Sequence, residues 1–230
     1  MTKNIIVTGA SKGVGFQLAR LLVYQGHTVL AFARSEKGLN QLQEDCANLK
    51  GKLYILVGDI LEPQKLVHGA RQYFDKVDVL INNAAAFLSK PFANLQLADL
   101  QHVYNINVFA PTLLVKELLP YFSVKSHVVN ISSMGGVTGA LKFKSLLPYS
   151  SSKAALNNIT ECLSVELAEK EVYCNALALG SVATNMFKKA FPGQKAAATP
   201  AQMAKYIANF ALNAAPLING KVISVSNSTP

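Results

Sequence analysis

The chain has 230 residues, half of them apolar, with 22 Lys and Arg against 13 Asp and Glu for a net charge of +9. This length suits one α/β domain over residues 1–230, and no run approaches the roughly 18 consecutive apolar residues of a membrane span. A strand-like run already begins at residue 4, so no targeting peptide is expected. Cys46, Cys162 and Cys174 are odd in number, widely spread and without a CxxC pair, so reduced thiols in a cytoplasmic protein are expected. His27, His68, His102 and His127 stand apart from one another and from carboxylate clusters, and no metal site is expected. The excess bases are scattered and no aromatic-studded basic groove is evident, which argues against nucleic acid. Lys142, Lys144, Lys188, Lys189 and Lys195 are the exception, in two segments expected near a substrate mouth.

In chain order, Asn4-Ile5-Ile6-Val7-Thr8 is a nearly all-apolar, β-branched run of the kind found in strands buried on both faces. It leads into Gly9-Ala10-Ser11-Lys12-Gly13-Val14-Gly15 and then an amphipathic pattern from Phe16. Strand, glycine turn and helix N-terminus together form an anion site. Unpaired N–H groups and the positive end of the macrodipole face a pyrophosphate, and glycine lets the backbone come close. The spacing is G-x-x-x-G-x-G, not G-x-G-x-x-G. The second strand, Thr28 to Ala33, ends at Arg34-Ser35, where an NAD site would place a carboxylate on the ribose. A guanidinium there suits a phosphate, and Lys12 adds a second cation, so the expected cofactor is NADP(H).

Further strands are expected at 53–57, ending at Gly58-Asp59-Ile60, at 77–81, ending at Asn82-Asn83-Ala84-Ala85, and at 127–131, followed by Ser132-Ser133. A long helical pattern runs from about Leu95 to Leu119 and closes at Pro120. A second helix reaches about Glu169, strands follow at 172–178 and 222–225, and Thr199-Pro200 reads as the N-cap and first residue of the last helix. Alternating helices and strands predict a doubly wound Rossmann fold, a mostly parallel seven-stranded sheet with helices on both faces. Ligands in such sheets bind beyond the carboxyl ends of the strands, where residues 9–15, 34, 59, 83, 133 and 149–153 all fall. Tyr149 and Lys153, in Pro148-Tyr149-Ser150-Ser151-Ser152-Lys153, sit four apart, on one face of a helix. An ammonium beside a phenol, whose unperturbed pKa is about 10, would stabilise the phenolate and make Tyr149 a general acid/base.

Taken together, Thr8-Gly9-x-x-x-Gly13-x-Gly15, Asn82-Asn83-Ala84, Asn107, Ser133 and Tyr149-x-x-x-Lys153 make the chain resemble a short-chain dehydrogenase/reductase of the single-domain branch over essentially its whole length. The resemblance implies a nicotinamide dinucleotide cofactor and hydride transfer between its ring and a carbonyl or alcohol carbon. It implies that Tyr149 exchanges the proton, Ser133 hydrogen-bonds the substrate oxygen, and Lys153 lowers the phenol pKa and binds the nicotinamide ribose. Asn107 would hold a water linking Lys153 to solvent. Asp59 and Ile60 would flank the adenine, and Asn83, followed by Ala84, would lie beside the adenosine ribose. Gly180, Val182 and Thr184 would form the loop at the nicotinamide carboxamide, whereas Asn82 is expected to be structural. Assembly as a homodimer or homotetramer through the helices near 95–119 and 149–169 is implied too.

Departures from the family pattern are Leu179 in place of Pro before Gly180, an apolar and basic insertion at Ala140 to Leu147, and a tail, Ser226 to Pro230, without Gly-Gly. The reading is an NADPH-dependent carbonyl reductase, with an NADP(H)-responsive, non-catalytic regulator on the same scaffold as the alternative.

Overall fold

The structure, a computed structural model, describes residues 1–227. The tail reading therefore falls partly on residues 228–230, which lie outside the described residues. Strands β1 (Asn4–Thr8), β2 (Thr28–Ala33), β3 (Lys52–Val57), β4 (Val77–Asn82), β5 (Phe122–Ser133), β6 (Val172–Leu179) and β7 (Val222–Val225) form one sheet in the order β3-β2-β1-β4-β5-β6-β7. Every pairing between neighbouring strands is parallel. The helices are α1 (Gly13–Tyr24), α2 (Glu36–Cys46), α3 (Pro63–Ala70), α4 (Leu97–Tyr104), α5 (Ala110–Leu118), α6 (Leu147–Glu166), α7 (Asn185–Ala190) and α8 (Pro200–Asn213).

Side chains alternate across a strand, and in β1 that alternation divides the core. Ile5 and Val7 pack with Leu18 and Leu22 of α1, Leu39 and Leu42 of α2, and Ile207 of α8. Ile6 faces the other way, into a cluster with Leu66 of α3, Leu114 of α5, and Val128 and Cys174 of the sheet. All of these side chains are buried. The apolar runs read from the sequence are thus strands covered on both faces, as parallel sheets require. The expected N-cap holds: Thr199 and Gln202 form a reciprocal capping box and Pro200 opens α8.

Two elements differ from expectation. The helical run near 95–119 is not continuous: α4 and α5 are joined through a π turn at Asn105–Phe109. Periodicity misses such an inserted residue because it shifts the apolar face by one position without ending the helix. β5 starts at Phe122, five residues early, since it pairs with β4 from Val77↔Phe122 across a register shift.

A buried polar network pins β5, β6 and α8 together away from the sheet's carboxyl edge. His127 Nδ1 stands 3.0 Å from the Ala211 carbonyl oxygen and Nε2 2.9 Å from Asn175 Nδ2. A carbonyl only accepts, so Nδ1 carries the proton and Nε2 accepts from the amide. The Asn175 orientation is fixed in turn, because Nδ2 also donates to Ile218 O and Oδ1 accepts from Lys221 N. Burial pulls the His127 pKa down to about 4.

Candidate functional site

Consecutive strands progress outward from β1 to β3, and the chain then crosses back to lay β4 on the other side of β1. This reversal opens a crevice beyond the carboxyl ends of β1 and β4. Thr8 closes its base: its hydroxyl donates to Ile81 O and accepts from the backbone N–H groups of Asn83 and Ala84, both at 3.0 Å. The glycine turn lies directly above. Gly9 has φ +69, and a Cβ there would come within 2.8 Å of Ala84 Cα. A Cβ on Gly15 would stand 2.5 Å from both Asn83 Nδ2 and Gly9 O. Both positions therefore need glycine, the first for its backbone conformation and close approach, the second for space alone.

Helix α1 begins on this turn with no acidic residue in its first turn and no side-chain cap from Lys12. Its first N–H groups therefore remain available to an anion. Gly9, Ser11, Lys12, Gly13, Val14 and Gly15 line this turn. Lys12 and Arg34 are exposed, and among the described residues neither side chain makes a hydrogen bond or ion pair. These observations fit a dinucleotide with a negative group near the end of β2. Ser35 serves as the N-cap of α2, accepting from Gly38 N at 3.3 Å. Gly38 was missed in the sequence, yet a Cβ there would meet the side chain of Ser11 at 2.8 Å. The start of α2 therefore leans on the glycine turn. Asp59 Oδ1 accepts from Leu61 N, and Ile60 is buried beside Phe32 and Leu66 in the second core cluster. Ile60 is core, and only its backbone is left to face a ligand.

The sequence placed Asn83 beside a ribose. Its side-chain nitrogen donates to Thr8 O at 2.9 Å and Gly9 O at 3.2 Å, tying the end of β4 to the glycine turn. Asn82 is structural as expected. Nδ2 donates to Asn130 Oδ1 at 2.8 Å, and Asn130 Nδ2 donates to Thr160 of α6 at 2.9 Å, so one chain of amides links β4, β5 and α6.

That linkage sets the helix bearing Tyr149 and Lys153. Lys153 is buried, its Nζ donates to Ile131 O at 2.8 Å, and it lies 5.9 Å from the Tyr149 ring centroid. Phe87 packs edge-on against the same ring at 5.3 Å. Burial raises the phenol pKa above its ordinary value, with a hydrogen bond to Ser133 acting in the opposite sense. Burial also lowers Lys153 to about 8. One Lys153 N–H is engaged by a backbone carbonyl, and desolvation is the larger influence on the phenol. Ser133, at the end of β5, also accepts from Gly135 N at 3.2 Å. Asn107 lies inside the π turn with three side-chain hydrogen bonds. Oδ1 accepts from Ala86 N at 2.8 Å, and Nδ2 donates to Ala86 O and to Ser152 Oγ, both at 3.0 Å. Its side chain thus staples β4's outgoing loop to α6.

Beyond β6, Gly180 sits against Ser226, and Val182 is buried in a bridge to Ala198. Thr184 caps α7 by accepting from Phe187 N at 3.2 Å, and its Cγ2 lies 3.6 Å from where a Cβ on Gly13 would be. This loop therefore closes over the start of α1, facing the glycine turn from the β6 side.

A family profile described as short chain dehydrogenase matches residues 3–195. The chain belongs to the short-chain dehydrogenase/reductase family. Curated relatives agree. The chain is 34% identical over 142 residues to a ketoacyl reductase, HetN, of Nostoc sp., covering 60% of this chain and 50% of that protein. It is 28% identical over 187 residues to an L-xylulose reductase of Caenorhabditis elegans, covering 80% and 73%. The chain thus spans half the length of the first relative and about three quarters of the second. Solved short-chain dehydrogenase/reductases from Serratia marcescens and Salmonella enterica superpose with TM-scores of 0.88 and 0.86 at 22% and 23% identity. Each covers 97% of this chain and 96% of the other, and at that identity they share the fold. The curated relatives named here are both reductases by description. Among the described residues no helix is long and apolar enough to cross a membrane, and no three His, Cys, Asp or Glu side chains gather as metal ligands.

Proposed function

We propose that this protein is an NADPH-dependent reductase that converts a carbonyl to an alcohol, with Tyr149 as the proton donor. The observation that carries the reading is the shared position of Ser133, Tyr149 and Lys153 beside the crevice that opens from the glycine turn. NADPH, when bound, supplies the hydride. Gly9, Ser11, Gly13, Val14 and Gly15 would hold its pyrophosphate, Arg34 and Lys12 its extra phosphate, and Gly180 and Thr184 its carboxamide end. Ser133 would orient the substrate oxygen and Tyr149 would protonate it. A phenol whose pKa is raised by burial is fully protonated at neutral pH, the state a general acid needs. Lys153 and Asn107 then act as positioning residues, the first bridging β5 to α6 and the second holding α6 to the loop after β4. The fixed geometry supplies the electrostatic help before reaction begins.

Assembly through α4, α5 and α6 belongs to the same proposal, since Phe109, Leu113 and Val165 are exposed there. The test is NADPH oxidation with a panel of ketones, aldehydes and dicarbonyls. The parent enzyme should turn over with NADPH in preference to NADH, and Tyr149→Phe should lose turnover by about a thousandfold or more while keeping its cofactor Kd. Turnover retained by that variant would refute the assigned role. Tight NADPH binding by the parent protein with no turnover on any carbonyl would favour the regulator.

A further inference from the structure

The segments that roof the crevice carry no acid. All 13 carboxylates lie between Glu36 and Glu171, and none falls in residues 118–160 or beyond 171. The loop over residues 137–146 and helix α7 come from those two acid-free stretches. They meet through aromatic rings: Phe143 lies edge-on to Phe191 at 4.8 Å, and Phe191 contacts Phe187 at 5.3 Å. Lys144, Lys188, Lys189 and Lys195 are exposed, and among the described residues none of their side chains makes a hydrogen bond or ion pair. The nearby Asp99 is already taken by Lys90 at 2.6 Å, and the Lys90 N–H in turn donates to Ser145 O.

Beneath this loop runs a groove of about 680 Å³, walled by Phe92, Phe143, Leu146, Leu147 and Ala154. Lys142 and Lys144 border it. Lys142 Nζ donates to Val137 O and Ala140 O, which leaves one of its three donors uncommitted. The groove uses Ser150, Ser151 and Ala154, a face of α6 adjoining the one that presents Tyr149 and Lys153. Gly135 joins groove and crevice: a Cβ there would be 2.9 Å from Ser150 Oγ and 3.6 Å from Ser133 Oγ. The groove therefore begins about one side chain's width from the group that would hold the reacting oxygen. Its size lies within the range of small-molecule sites. Its walls favour an apolar chain, and uncompensated ammonium groups at its border favour a negative end.

We propose that the groove receives the distal part of the substrate, an apolar chain ending in a carboxylate or phosphate that meets Lys144 and Lys142. The reacting carbonyl then lies at Ser133 and Tyr149. This rests on the reductase reading and adds the class of substrate to it.

The test compares three medium-chain ketones of equal length, one ending in a carboxylate, one in a phosphate and one in the carboxylate's methyl ester. All are assayed by NADPH oxidation with the purified full chain. The better anion should exceed the ester in kcat/KM by about fivefold at low salt, with the advantage shrinking at high ionic strength. The two anionic arms identify which group is recognised. Lys144→Glu should bring the anion-to-ester ratio to unity or below, whereas Lys205→Glu on α8 should leave that ratio unchanged. Ala154→Phe should shorten the longest chain accepted. Equal kcat/KM for anions and ester, or an unchanged ratio in Lys144→Glu, overturns the proposal while ester reduction keeps the reductase reading. Ala154→Phe could instead split an oligomer in sedimentation velocity with its chain-length profile intact. The groove would then be an interface between copies, and the proposal would fall. Absence of reduction of every carbonyl, short neutral ketones included, overturns both readings.

Discussion

The buried imidazole of His127 makes folding stability depend on pH in a way that can be calculated. Its pKa falls from an ordinary 6.5 to about 4 in the folded protein because burial disfavours the cation. A lowered histidine pKa means that the unfolded chain binds the proton first. The stabilising contribution is therefore fully present above pH 6.5 and is lost as pH falls toward 4. The complete loss is about 3 kcal/mol, from roughly 2.5 pK units at 1.36 kcal/mol each. Between pH 7 and pH 5 the same linkage removes about 2 kcal/mol. Urea unfolding followed by circular dichroism at several pH values measures this in the parent and in His127→Gln. The variant should be less stable at pH 7 by about 1–3 kcal/mol, since the Ala211 carbonyl and the Asn175 amide lose a partner. Its further loss from pH 7 to pH 5 should be smaller than the parent's by about 2 kcal/mol. Parallel pH dependences in the two proteins would show that His127 does not carry the effect.

Arg34→Asp should invert cofactor preference, raising the Kd for NADPH by about tenfold or more and lowering that for NADH; titration by nucleotide fluorescence reads both, and an unchanged ratio removes Arg34 from the phosphate site. Gly9→Ala should abolish dinucleotide binding in calorimetry and lower Tm, because φ +69 and the approach of Ala84 leave no place for a methyl group. The raised Tyr149 pKa predicts opposite pH profiles for the two directions. Carbonyl reduction should be flat from about pH 6 to 8, while alcohol oxidation, which needs the phenolate, should rise about tenfold per unit toward the phenol pKa. A shared bell-shaped optimum would point to a different group.

The sequence was most legible where one residue type has one physical use. Gly9, Gly13 and Gly15 follow an all-apolar strand and announce a close backbone approach. Tyr149 and Lys153 share a helical face by spacing alone. Thr199 and Pro200 mark a helix start that the capping box completes. It was least legible where a polar side chain had several uses. Asn83, Asn107 and Ser35 read as ligand-facing, yet their side chains are committed to Thr8 and Gly9, to Ala86 and Ser152, and to Gly38. Spacing fixes a shared face for Tyr149 and Lys153 but not where the ammonium points, and one of its N–H groups goes to Ile131 O. The π turn at Asn105–Phe109 and the meeting of Phe143 with Phe191 depend on tertiary contacts that no local pattern encodes.

The run Asn82, Asn130, Thr160 joins two central strands to the longest helix through directional bonds. Greasy surfaces tolerate sliding by a fraction of a turn, but an amide chain with 2.8 and 2.9 Å links does not. The end of β4, where Asn83 clasps the glycine loop, is thereby held in fixed register with the helix that carries the phenol.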